Sequence, residues 1–229
     1  MITELASPNF DERPKGGPID MLVLHYTGME SAAAALARLT DPHARVSAHY
    51  LIDEDGSTIR LVDEQCRAWH AGVSFWRGAT DINARSVGIE LVNPGHEFGY
   101  RAFPRPQIDA LVRLAGDILG RWPIPPRNVV GHADVAPQRK LDPGELFDWT
   151  LLARAGIGVW PEEADECILE EDAVRAMLAE IGYETASLFA TLKAFQRHFR
   201  PERVNGRIDW QTARLARGLC TLLAANSGV

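Results

Sequence analysis

Absences narrow the field first. No apolar run in the 229-residue chain approaches the ~20 residues needed to cross a bilayer. Basic residues are outnumbered, 24 to 31, leaving a net charge of −7. A general binder of nucleic acid or of anionic membranes needs a basic field, so neither is an expected partner. Cysteine is scarce: three residues at 66, 167 and 220, odd in number, far apart and without a CxxC pair. This is neither a disulfide framework nor a cysteine-based zinc site, and it suits a reducing compartment. The opening stretch MITELASPNFDERPKGGPID carries Glu4, Asp11 and Glu12 and lacks an apolar h-region, so no secretory leader is expected. The expected setting is therefore the cytoplasm; a trimmed leader would instead place the protein in the periplasm or on the outer membrane. Tandem repeats and low-complexity tracts are also missing.

What remains is ordinary globular composition, 46% apolar and 24% charged, enough to build a core. At roughly 100–200 residues per domain, the length suggests one large domain or one medium domain plus a small one. Residues 1–20 read as an extended arm. The run MLVL at 21–24 reads as a short buried strand that delivers His25 at its end. An Ala/Leu-rich helix follows over 30–39. Residues 49–52 and 58–62, separated by Asp55-Gly56, read as a hairpin. SVGIELV at 86–92 is a second buried strand. The i, i+3, i+4 spacing of Ile108, Leu111, Val112, Ala115, Ile118 and Leu119 predicts a helix over 107–121. A strand at 128–131 ends at His132. Alternating strands and helices indicate an α/β domain with a mixed central β-sheet flanked by helices. From about residue 164 strand signals cease. Three helices are expected near 166–181, 186–199 and 210–225, the last N-capped by Asp209. The domains are thus 1–160 and 161–229.

Chemistry concentrates in the first domain. His25 and His132 each follow an apolar strand, which places them at a sheet rim. Asp142 lies ten residues beyond His132, and Lys140, two residues before Asp142, points the same way if the segment is extended. Two imidazoles and one carboxylate suffice for a catalytic Zn²⁺ with its fourth position open. Glu90 is an acid in an otherwise apolar strand, costly to bury unless paired or used, and so a candidate general base. The residue types leave alternatives open: strand-end histidines are more often structural than ligating, and Glu90 could pair with Arg85.

The longer strings are more specific. MLVLHYTGM, VSAHYLIDEDGSTIRLV, AWHAGVSFWRGATDINARSVGIELVNPG and VVGHADVAPQRKLDPGELFDW closely resemble, in the right order, the zinc-dependent N-acetylmuramoyl-L-alanine amidases of the amidase-2 family. Those enzymes share a fold with a phage-type lysozyme and with the peptidoglycan recognition proteins. The resemblance covers about residues 18–160. FQRHFRPERVNGRIDWQTARLARGL resembles, more loosely, the three-helix peptidoglycan-binding-like domain found behind the catalytic domain in one branch.

The resemblance implies one Zn²⁺ per chain held by His25, His132 and Asp142, with Glu90 moving the water proton and Lys140 stabilising the oxyanion. His49 and His70 are expected to line the substrate site, in preference to hydrogen-bonding the ligands from behind; Trp69 and Trp76 either offer apolar faces to the substrate or pack in the core. Arg77, Asn83 and Arg85 are expected to meet the stem peptide, whose carboxylates suit the arginine fork. The implied substrate is a muropeptide or peptidoglycan, with 1,6-anhydro-muropeptides of cell-wall recycling foremost. An envelope amidase on intact wall is the alternative, and a non-catalytic binder is disfavoured by the complete residue set. No expected catalytic residue lies beyond Asp142, so 1–160 would suffice for chemistry.

Overall fold

Period-two burial organises the central sheet. The structure, a computed structural model, describes residues 2–225. Its strands are β1 (Ile2–Glu4), β2 (Phe10–Glu12), β3 (Met21–Tyr26), β4 (Tyr50–Ile52), β5 (Thr58–Arg60), β6 (Cys66–Ala68), β7 (Ser86–Leu91) and β8 (Val129–Gly131). Between and after them come α1 (Ala32–Thr40), α2 (Gly95–Phe98), α3 (Arg105–Arg121), α4 (His132–Val135), α5 (Trp149–Arg154), α6 (Glu171–Ile181), α7 (Leu188–Phe199) and α8 (Trp210–Ala225). Six strands form one sheet in the order β1-β5-β4-β7-β3-β8, and β2 pairs with β6 apart from it. Only the hairpin pair β4/β5 is antiparallel within the large sheet, so the sheet is mixed as expected. The expected arm is not a free tail: β1 adds a parallel edge to β5, and Arg13 donates to the carbonyls of Glu64, Asn83 and Ser86.

The two faces have different jobs. Leu22, Leu24, Val87, Ile89 and Leu91 pack against Ile108, Leu111, Ala115 and Ile118 of α3. Full burial of each such Leu or Ile contributes about 1.5–3 kcal/mol. The alternate residues of β3 and β7 face the other way, paired as Met21↔Ser86, Val23↔Gly88 and His25↔Glu90. At one side of this second face, α1 packs Ala35 and Leu39 over Leu51 of β4. At the other side sit the C-terminal helices. The ends of β3 and β7, with His25 and Glu90, lie between them.

The C-terminal helices are bound into the same core rather than set apart. Leu178, Leu192, Phe195 and Leu219 belong to one buried cluster with Met21, Val23, Trp76, Ile82 and Val130. A polar tie reinforces it. Buried Asp134, two residues after His132, accepts hydrogen bonds from the Gly131 N–H, the Tyr183 hydroxyl and His198 Nδ1–H, each at 2.7 Å. Burial, and then the Asp134 charge, push the Tyr183 hydroxyl well above its ordinary pKa. The His198 ring stacks on Trp149 at 3.7 Å between centroids. The third helix begins as expected, with the Asp209 side chain accepting from the Thr212 N–H at 3.0 Å.

Candidate active site

The register of β3 and β7 sets His25 beside Glu90, and α4 presents His132 directly after β8. The loop after α4 brings Asp142 back so that its carbonyl accepts the Ala133 N–H at 2.8 Å. Three atoms then converge. His25 Nδ1 lies 2.9 Å from His132 Nδ1 and 3.0 Å from Asp142 Oδ2, and His132 Nδ1 lies 3.1 Å from that same oxygen. All three residues are buried, and among the described residues they are the trio of His, Cys, Asp or Glu side chains placed to share one ion.

Their outer bonds select the tautomers. His132 Nε2–H donates to the Ala71 carbonyl at 3.0 Å, which leaves Nδ1 as a lone pair. His25 Nε2–H donates to His70 Nδ1 at 3.1 Å, His70 Nε2–H to Ser86 Oγ at 3.1 Å, and the Ser86 hydroxyl to the Ile82 carbonyl at 2.6 Å. Burial, with His132 adding to it, pushes the His25 imidazole down to about 4, so it is a neutral donor at physiological pH. Burial opposes ionisation of Asp142, yet the imidazoles of His132 and His25 against it hold its carboxyl below the usual carboxylate range. Gly88 makes this relay possible, because a Cβ there would stand 2.5 Å from Cγ of the His70 ring.

Glu90 is half-buried, and its Oε2 is enclosed without a hydrogen-bond partner. Burial, then the Asp142 charge, raise its carboxyl well above the ordinary value, with Lys140 opposing. A carboxyl of raised proton affinity beside a ligand trio is suited to take and return a proton. Its alternative partner is occupied elsewhere: the Arg85 guanidinium pairs with Asp20, with Nε 2.8 Å from Oδ1.

These groups line a 540 Å³ cavity with Trp69, His70 and Lys140. Five of the residues expected to meet substrate stand elsewhere. His49 is fully buried behind His70: its Nδ1 accepts from the Gly88 N–H at 2.9 Å, its Nε2 faces the Cys66 carbonyl, and the Arg13 guanidinium lies alongside. Asn83 Oδ1 accepts the His70 and Ala71 N–H groups, so it fixes the segment bearing His70 rather than substrate. Arg77 donates to the Ile181 and Glu180 carbonyls at the end of α6, and Arg85 is held by Asp20. Trp76 is likewise buried in the core, T-shaped to Tyr183. The arginines at the cavity are Arg38 and Arg139, and Tyr26 and His96 complete its wall. Adjacency to Lys140 and His25 was a signal for Arg139 and Tyr26. Arg38, an exposed residue in the last turn of α1, had none.

A mixed sheet with two strand-end histidines, a loop aspartate and an enclosed glutamate defines a hydrolase built around a His-His-Asp centre. Residues 15–145 match the family described as N-acetylmuramoyl-L-alanine amidase, and the chain belongs to that family. It is 41% identical to the N-acetylmuramoyl-L-alanine amidase AmiD of Escherichia coli, over 88% of this chain and 82% of that protein. The solved complex of AmiD with anhydro-N-acetylmuramic acid-L-Ala-D-gamma-Glu-L-Lys superposes with a TM-score of 0.82 at 37% identity, covering 93% of this chain and 98% of that one. The 1,6-anhydro-N-acetylmuramyl-L-alanine amidase AmpD of Haemophilus influenzae is 34% identical, over 64% of this chain and 87% of its own.

Proposed function

We propose that this amidase holds one Zn²⁺ on His25, His132 and Asp142 and cleaves the bond between N-acetylmuramic acid and L-alanine, including its 1,6-anhydro form. The observation that carries this is the ligand triangle itself, with edges of 2.9–3.1 Å beside the unpartnered Glu90 Oε2. Tetrahedral zinc with bonds of about 2.0–2.1 Å requires ligand atoms about 3.3 Å apart, so the donor set fits with a slight expansion. Two imidazole nitrogens and a carboxylate oxygen are also the donor chemistry zinc prefers.

Zinc bound there would supply a Lewis acid that polarises the lactyl carbonyl and acidifies water. Glu90 takes a proton from the attacking water as the new C–O bond forms. Lys140 lends positive charge to the oxygen of the tetrahedral intermediate. Glu90 then returns the proton to the alanine nitrogen as the C–N bond breaks, releasing a lactyl carboxylate and a free peptide amine. His70 and Ser86 keep His25 aimed throughout.

We place this activity in the turnover of soluble muropeptides in the cytosol. Anhydro-muramyl ligands named with the relatives support the substrate class, and three free thiols, Cys66, Cys167 and Cys220, suit a reducing compartment. The test is digestion of soluble anhydro-muropeptides and intact sacculi side by side, with products identified by mass, together with fractionation of cells carrying the untagged protein. Soluble substrates cut at least as well as sacculi, by a cytosolic protein, are expected. Envelope location with sacculi strongly preferred overturns the recycling role and leaves the amidase chemistry standing.

A further inference from the structure

Arg197 of α7 has only 6% of its surface exposed, although it lies outside the catalytic cluster. A guanidinium so placed costs several kcal/mol unless it is paired. Its Nε donates to Glu145 Oε2 at 3.3 Å. On its other side the Glu145 carboxylate meets His96 Nε2 at 3.2 Å, and His96 Nδ1 meets the Tyr26 hydroxyl at 2.9 Å. One neutral tautomer satisfies both ends, with Nε2–H donating to Glu145 and Nδ1 accepting from Tyr26. The chain of contacts therefore runs unbroken from a C-terminal helix to Tyr26, the residue after His25.

Tyr26 and His96 both line the active-site cavity. Neither is held there by the sheet alone. The Tyr26 ring lies over Gly95, where φ is +66° and a Cβ would come 2.6 Å from its Cε2. His96 stacks on Tyr100 at 4.4 Å and 22°, and the Tyr100 hydroxyl donates to the Pro143 carbonyl at 2.8 Å. The stack fixes the tilt of His96; Glu145 fixes its in-plane rotation; Arg197 fixes Glu145, itself one-third exposed and otherwise free to swing into solvent.

We propose that Arg197 is a positioning residue for the substrate-facing wall made by Tyr26 and His96, so that α7 helps set substrate affinity. The proposal rests on the amidase activity of the chain, not on its compartment.

The test uses the full-length, zinc-loaded protein and an N-acetylmuramoyl peptide. R197M keeps the buried volume, E145Q keeps the shape of the acid, and H96A removes the wall. R197M and E145Q are expected to raise KM about 3–10-fold with kcat within about twofold and zinc content at the wild-type level. R197K should recover most of the loss, and R197M/H96A should bind no worse than H96A alone, as expected of residues acting in series. Should R197M not fold, E145Q and the E145Q/H96A pair carry the same comparison. Unchanged KM in folded R197M or E145Q, losses that multiply in the double variant, or a fall in kcat that tracks loss of zinc would each overturn the proposal. A wild-type protein that leaves the peptide uncut would overturn the amidase reading, and this inference with it.

Discussion

Replacing Gly88 by alanine tests the ligand geometry without touching a ligand. The added Cβ would lie 2.5 Å from His70 Cγ, 2.6 Å from Nδ1 and 2.7 Å from Cδ2. Carbon contacts relax to about 3.5–4.0 Å, so the ring must retreat by roughly 1 Å. That retreat stretches both bonds of His70, to His25 Nε2 and to Ser86 Oγ, each now 3.1 Å. Overpacking of this kind costs about 1–3 kcal/mol, and loss of a ligand's hydrogen-bond partner weakens metal affinity about 10–100-fold. G88A should therefore melt lower, by roughly 2–4 °C per kcal/mol for a chain of this length. In chelator competition it should bind zinc correspondingly more weakly. The double variant G88A/H70A separates the causes, because removing the ring relieves the clash and restores part of the stability but not the affinity. A folded G88A with wild-type melting temperature and wild-type zinc affinity would refute the claim that His70, seated on a bare backbone, aims His25.

Four further outcomes follow from the geometry. Chelation should abolish hydrolysis and zinc should restore it, and H25A or H132A should lose both metal and turnover, because two donors remain. E90Q and K140A should retain zinc by elemental analysis while kcat falls about 10²–10⁴-fold, the scale of a lost proton carrier or oxyanion donor. Deleting residues 161–229 should yield an aggregating or molten protein by near-UV circular dichroism, since Trp76, Val23 and Val130 would lose the helices that cover them. Buried His49, whose pKa is pushed down to about 3 by burial and by Arg13, must charge on unfolding below about pH 6.5. The unfolded state binds the extra proton, so stability falls with pH, by about 2 kcal/mol from this residue between pH 7 and 5; urea unfolding of H49N should show a flatter decline.

The placement of His25 and Glu90 was legible because it follows from local rules. A four-residue apolar run ends at His25, a lone acid interrupts SVGIELV, and strand periodicity puts both on one face once the strands are neighbours. The hairpin, α3 and the three C-terminal helices were equally local, their ends misjudged by a few residues. What escaped depends on pairing distant in sequence. Asn83 and Arg77 look like exposed polar loop residues, yet each saturates backbone groups, at 70–71 and 180–181 respectively. The arm's strands have no hydrophobic pattern of their own and exist because β5 and β6 offer edges. The division at residue 160 followed a change in composition, which marks where strands stop and not where the core stops.

Asp134 has a consequence for the order in which the enzyme comes into being. Its carboxylate sits two residues from His132 and is satisfied by Tyr183 and His198, 49 and 64 positions further along. A ribosome that has released residues 1–160 has already delivered His25, His132 and Asp142. Asp134 at that point lacks both Tyr183 and His198, and gains the second only once α7 has emerged, so the segment carrying His132 has not yet been pinned. The ligand trio is thus encoded upstream of the helices whose side chains hold the His132 segment in place.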